Sequence, residues 1–292
     1  MARALGSTLW LLAGLMTRKS SAVALLFLFL LVLAAALADV LPIDPFAQKL
    51  VDALKGPSAS NWFGTDELGR DILARVIYGA RTSLTTAGAA VIVAASVGVP
   101  IGLLAGFFGG WRDATLMRFI DVLLALPAIL FAMALIAVLG RSQIAAFVAV
   151  GVTGIPNFAR ITRARVLSLR KRDFVTAVEA FGGTSTYNMF RTILPNSWSP
   201  ILVQAVVLCS VAILLEAALA FLGVGVAPPT PSWGEMLRTG KSYLHEAPYY
   251  AVLPGIVLTL TILSFDVIGR TLSSLLDDRS DAGAVKVKGA AP

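Results

Sequence analysis

Long apolar runs recur along the chain at 22–38, 85–108, 122–140, 142–159, 199–222 and 251–268; the first four carry no charge, the fifth carries Glu216 and the sixth Asp266. Each is close to the roughly 20 residues that a helix needs to cross a bilayer. None alternates apolar and polar positions as a barrel strand would. Lipid offers no partners to open backbone groups, so each run is predicted as a helix. The pattern predicts an all-α membrane protein with six transmembrane helices. Residues 1–20 precede the first span at 21–41, and a polar segment covers 42–84. A core follows at 85–272 with one long loop at 160–196, and 273–292 form a tail. The first run has a second reading. Arg18 and Lys19 precede it, and Ala36-Leu37-Ala38 resembles a signal-peptidase site. Its 17 residues exceed a usual signal core, which favours a retained anchor over a cleaved signal.

The loop at 160–196 breaks the pattern of short connections. It opens on a basic run, Arg160, Arg163, Arg165, Arg170, Lys171 and Arg172, read as charge lying against anionic lipid. Beyond it, Phe174, Val178 and Phe181 recur at i, i+4 and i+7, which predicts one apolar helix face. Gly182-Gly183 stops that helix. Tyr187, Phe190 and Leu194 mark a second face, which Pro195 is expected to end. Apolar helices outside the bilayer need a cover. It is either the membrane surface or a groove on another protein.

Composition and charge narrow the class. Hydrophobic residues make up 57 % of the chain and charged residues 14 %, against about 25 % charge in a soluble protein. Mean hydropathy is +0.82. These values exclude a disordered chain, a secreted disulfide scaffold and nearly every water-soluble enzyme. The single cysteine, Cys209, excludes an internal disulfide. With the N terminus placed in the cytoplasm, 16 of the 24 Lys and Arg fall on the cytoplasmic side. The outer segments hold 8 basic and 8 acidic residues. This asymmetry predicts both termini in the cytoplasm. The net charge of +7 is then a topology signal and not a nucleic-acid footprint.

Charges inside spans call for an explanation. Arg118 with Asp121, and Asp266 with Arg270, are spaced to pair along one helix. Glu216 has no local partner and lies about 9 Å from the outer end of the fifth span. It is a candidate path or gate residue, or a partner for a second subunit. Gly98, Gly102 and Gly106 put three small residues on one face of the second span, a packing surface for another helix. His245 is the only histidine and no ligand cluster accompanies it, so no metal site is expected. The run from Gly234 to Gly240-Lys241-Ser242 has one residue too many for a phosphate loop. No nucleophile, base and orienter assemble, so no enzyme site is expected.

Three further segments carry a resemblance. Thr176-Ala177-Val178, Gly182 and Ile193-Leu194-Pro195 resemble the cytoplasmic loop motif of ABC importer permeases, with Thr176 where Glu is usual. Trp62-Phe63-Gly64-Thr65-Asp66-Glu67-Leu68-Gly69-Arg70-Asp71 is similar to a signature of their peptide and nickel branch. So are Leu222-Gly223-Val224-Gly225 with Pro228 to Gly234, and the end of the sixth span. Over about residues 20–280 the chain most resembles the second permease subunit of dipeptide and oligopeptide importers.

The resemblance implies a type I ABC importer transmembrane fold and a heterodimer with a homologous permease. It implies two ATPase subunits that hold ATP and Mg, none of it bound by this chain, and an extracytoplasmic binding protein. The place would be a bacterial or archaeal cytoplasmic membrane. The implied ATPase-coupling residues are Thr176, Ala177, Val178, Phe181, Gly182, Leu194 and Pro195. The implied outer-face residues are Gly64, Thr65, Asp66, Gly69, Arg70, Asp71, Pro231 and Trp233. Alone, Trp233 reads as an interfacial belt residue. Nickel, glutathione and opine importers share this branch. A secondary transporter working without ATP would show inverted repeats, and none is apparent.

Overall fold

The structure, a computed structural model, describes the backbone of residues 14–288 and side chains through Leu276. Residues 1–13 and 289–292 of the two expected cytoplasmic ends lie outside the described residues. The membrane-length helices are α1 (Lys19–Ala36), α2 (Ile72–Phe108), α5 (Gln143–Leu169), α7 (Trp198–Phe221) and α9 (Tyr249–Lys288). Between α2 and α5 lie α3 (Gly110–Ala125) and α4 (Ala128–Leu139), and α6 (Asp173–Ala180) and α8 (Trp233–Gly240) are short.

The third expected span is therefore two helices. α3 and α4 meet at 90°. Leu126 is extended, as the residue before a proline tends to be, and Pro127 has no N–H to continue the ladder. The break leaves α4 with 12 residues, about 18 Å. Five helices are long and apolar enough to cross a membrane, and the count reaches six with this bent pair taken as one span.

Two other boundaries move. α2 is 37 residues long and begins at Ile72, so the boundary expected at 84/85 falls inside it. α9 runs on from Tyr249 through residues expected in the tail. Pro195 does not end the loop helix either. It opens a 3-10 turn, Pro195–Ser197, that leads straight into α7, a first-turn position where a missing N–H costs little.

The core is built on small residues. α2 lies along α5 with Gly98, Gly102 and Gly106 facing the carbonyls of Ile155, Ala159 and Arg163. A Cβ at Gly98 would lie 2.6 Å from the Ile155 oxygen, and one at Gly106 would lie 2.9 Å from that of Arg163. Ala80, Ala87, Ala90, Ala145, Ala149, Ala212 and Ala217 continue the tight contact toward α7. In lipid, close backbone approach replaces the hydrophobic drive that water supplies. α1 packs on α9, where the Ser21 and Thr271 hydroxyls share a buried hydrogen bond of 2.7 Å.

Candidate functional site

Polar and exposed features concentrate at the two ends of the bundle. At one end, the segment before α2 folds into a cap. Asp66 is fully buried. Its carboxylate accepts from the Leu68 and Arg70 backbone N–H, both at 2.9 Å, and from Arg70 Nε at 2.6 Å. Arg75 Nε lies 3.4 Å away on the far side. Arg70 Nη2 also donates to Glu67 at 3.0 Å, and Arg75 Nη2 to Glu235 at 3.2 Å. Tyr250 Oη donates to the second Glu67 oxygen at 2.6 Å. One buried ionic network thus ties the cap to α2, α8 and α9. The spacing of Asp66, Glu67 and Arg70 suits a helix, yet these pairs form in a turn closed by a Thr65–Asp71 bridge.

The other motif positions serve the same turn. Gly69 brings its backbone against the Lys49 carbonyl, where a Cβ would collide. Thr65 Oγ1 accepts from the Lys55 N–H at 2.9 Å and donates to the Asp52 carbonyl. Asp71 caps α2 by accepting from the Ala74 N–H at 2.9 Å, and also accepts from Asn61 Nδ2 at 2.8 Å. Gly64 hands the Ile72 N–H its carbonyl at 3.1 Å. Pro231 is buried beside Ser232, which caps α8. Trp233 is not an interfacial belt residue. It is fully buried, its indole donating to the Val76 carbonyl at 3.0 Å. Outside the spans, Asp39 pairs with Arg81 at 2.9 Å. Hydrogen bonds from Arg81, then Tyr78, hold its carboxyl below the ordinary carboxylate range.

At the opposite end, α6 projects beyond α5. Val175 is its one fully buried residue and packs with Leu103, Phe107, Val166 and Ile193. Asn188, also fully buried, donates to the Val175 carbonyl at 3.3 Å and to Glu179 at 3.2 Å. Neither was expected from the spacing. The expected face of Phe174, Val178 and Phe181 splits: Val178 is half-buried, while Phe174 is exposed and Phe181 is 93 % exposed. Thr176 and Ala177 are exposed as well, Leu194 is half-buried and Pro195 is exposed. Gly182 follows α6 at φ +82, with open space where a side chain would stand. That conformation disfavours any L residue with a Cβ. Tyr187 and Phe190 extend the exposed aromatic surface.

Glu216 sits between these ends. It is 1 % exposed and accepts from the Ser83 hydroxyl of α2 at 2.9 Å. It faces α2 within this chain. Asp121 does not pair with Arg118 as its spacing suggested. It pairs with Arg160 of α5 at 2.7 Å. Asp266 and Arg270 do pair. Among the described residues no group of His, Cys, Asp and Glu is arranged to hold a metal.

A bundle of small-residue-packed spans, with a bent pair and an exposed amphipathic loop at one end, is the architecture of an ABC importer permease. The sequence model of the binding-protein-dependent transport system inner membrane component family matches residues 98–280, and the chain belongs to that family. It is 40 % identical over 262 residues, 89 % of this chain and 86 % of the relative, to the dipeptide transport system permease protein DppC of Alkalihalophilus pseudofirmus. It is 39 % identical over 225 residues, 77 % of this chain and 75 % of the relative, to the glutathione transport system permease protein GsiD of Pectobacterium atrosepticum. The inward-facing MetNI methionine ABC transporter has a chain matching the fold with TM-score 0.54 at 18 % identity, covering 69 % of this chain and 97 % of that one. The protein is thus a multi-pass inner-membrane permease, one half of an ABC importer, and a transport component rather than an enzyme. Its family works with ATPase and other subunits.

Proposed function

We propose that this chain forms half of the path for dipeptides or oligopeptides, paired with a homologous permease and supplied by an extracytoplasmic binding protein. The observation that carries the coupling role is the exposed surface of α6, with Phe181 almost wholly in solvent beside an unobstructed Gly182. An apolar helix face outside the membrane is the ligand half of a helix-in-groove contact. Two cytoplasmic ATPases, which carry ATP and Mg, offer those grooves to the two permeases. The α6 end and both termini are then cytoplasmic, and the cap of Asp66, Arg70 and Arg75 faces the binding protein. Closure of the ATPases moves the two α6 helices together and switches access, a rigid-body change between two packings. Thr176 supplies no charge in that contact, so docking rests on Phe174, Phe181 and the space over Gly182.

The substrate class follows from relatives named for dipeptide transport at 40 % identity. A relative named for glutathione transport, itself a tripeptide thiol, keeps that compound as the second reading. The coupling test is co-purification of ATPase subunits with wild type and Gly182→Arg. The variant is expected to lose ATPase association and uptake, and normal assembly with normal uptake overturns the coupling role. For the substrate, calorimetry on the cognate binding protein with dipeptides, glutathione and Ni²⁺ is expected to show heat with dipeptides. Binding of Ni²⁺ or glutathione alone overturns the peptide assignment.

A further inference from the structure

α3 is held in an unusual way. At its start, Gly109 and Gly110 both have positive φ, +65 and +58. Two such residues in succession form a joint with no side chains to stiffen it. At its far end stands the Leu126-Pro127 break. Between these two weak points only Ile120 of α3 is buried, against Ile155 and Ala159 of α5. Met117 packs partly buried against the same cluster, and two ion pairs supply the polar attachment. Arg163 Nε and Nη2 donate to the two Asp113 oxygens at 2.5 and 2.6 Å, a bidentate fork. Arg160 Nη2 donates to Asp121 Oδ1 at 2.7 Å. A bidentate guanidinium–carboxylate pair fixes direction as well as distance.

Both arginines sit on α5, the helix that runs to Leu169 and, three residues on, becomes α6. We infer that Asp113–Arg163 and Asp121–Arg160 form a clasp that makes α3 follow α5, so that displacement of α6 reaches the α3–α4 elbow. Asp113 and Asp121 are positioning residues for transport. This rests on the docking of α6 proposed above. Without the clasp, α5 and α2 still move as one block through their glycine contact, while α3 pivots on Gly109-Gly110 and the elbow lags. The bistable element is the elbow, whose 90° bend has no fully buried residue at 121–131 and only Ile129 packed, partly buried, against the core.

The test uses the reconstituted full transporter with its binding protein and substrate. Asp113→Asn with Asp121→Asn removes both charges at nearly constant volume. The double variant is expected to assemble, to hydrolyse ATP at the wild-type basal rate, and to move at least about tenfold less substrate per ATP. Exchanging the charges, Asp113→Arg with Arg163→Asp, is expected to recover most of the ratio lost by either single variant. Wild-type stoichiometry in the double asparagine variant overturns the clasp. So does a defect that the exchange fails to recover. The two readings separate cleanly: Gly182→Arg with intact assembly and normal uptake refutes α6 docking. Gly182→Arg that abolishes assembly, beside an unaffected clasp variant, refutes the clasp alone.

Discussion

Replacing Gly98 by Ala tests whether the α2–α5 contact is the structural keel of the protein. The new Cβ would lie 2.6 Å from the Ile155 carbonyl oxygen, 2.7 Å from Phe158 Cβ and 3.1 Å from the Ala159 nitrogen. Ordinary contact begins at 3.4 Å, so the shortest of these is deficient by 0.8 Å. Two of the three obstructing atoms are backbone and cannot turn aside. The helices must separate, which also loosens Gly102 and Gly106 on the same seam. Overpacking a tight core costs about 1–3 kcal/mol, and a backbone obstruction puts this case at about 2–3 kcal/mol. At roughly 2–4 °C per kcal/mol, the unfolding temperature falls by roughly 4–12 °C. Gly88→Ala on the same helix is the control, since nothing lies within 4 Å of its Cβ position. It is expected to hold or raise stability by up to about 1 kcal/mol through helix propensity. The assay is thermal unfolding of the detergent-purified transporter followed by size-exclusion chromatography. Equal unfolding temperatures for the two variants would refute the packing argument.

The other predictions concern buried polar groups and one surface pair. Asp66→Asn strips the charge that Arg70 and Arg75 share, and is expected to cost about 3–5 kcal/mol in thermal unfolding; a loss under about 1 kcal/mol contradicts the network. Glu216→Gln keeps an acceptor for the Ser83 hydroxyl and is expected to transport normally, whereas Glu216→Ala leaves both a void and an unpaired donor and costs roughly 2 kcal/mol or more. If the glutamine variant is as damaged as the alanine variant, the charge itself is needed. Asp39, with its depressed pKa, adds stability that is present above the ordinary carboxylate value and lost as pH falls through the lowered folded value. Wild type and Asp39→Asn should therefore differ in unfolding temperature at pH 7 and converge in strong acid, and a gap that persists there rules out the ion pair as its source.

The spans were readable because a membrane helix is announced by run length, which needs no knowledge of what it packs against. The elbow was not, although Pro127 was in plain view. The run at 122–140 is uniformly apolar and gives no second period to mark two helices. The start of α2 was hidden for the opposite reason. Arg75 and Arg81 kept 72–84 out of the apolar run, although Arg75 is in fact buried among Asp66 and Glu235. Local spacing also chose the wrong partner for Asp121, offering Arg118 on the same helix where the fold supplies Arg160 from another. Trp233 follows the same logic, since its acceptor at Val76 lies 157 residues away and no nearby residue announces it. In the α6 loop, Thr176, Ala177, Gly182 and Pro195 of the motif face outward, while Val175, Asn188 and the motif's own Ile193 do the anchoring. The eight-residue helix carries apolar residues on two faces, and spacing alone cannot say which one turns inward.

The bend at Leu126-Pro127 has a bearing on how a lone copy of this chain sits in lipid. α4 begins with no side-chain cap, and residues 124–128 around the break are exposed on this subunit. Hydrocarbon cannot solvate open N–H and C=O groups, so in the finished importer this corner has to face protein or water. An orphan subunit, inserted before any companion arrives, shows it to lipid instead. The corner therefore makes the isolated subunit a poorer fit to the bilayer than the assembled importer.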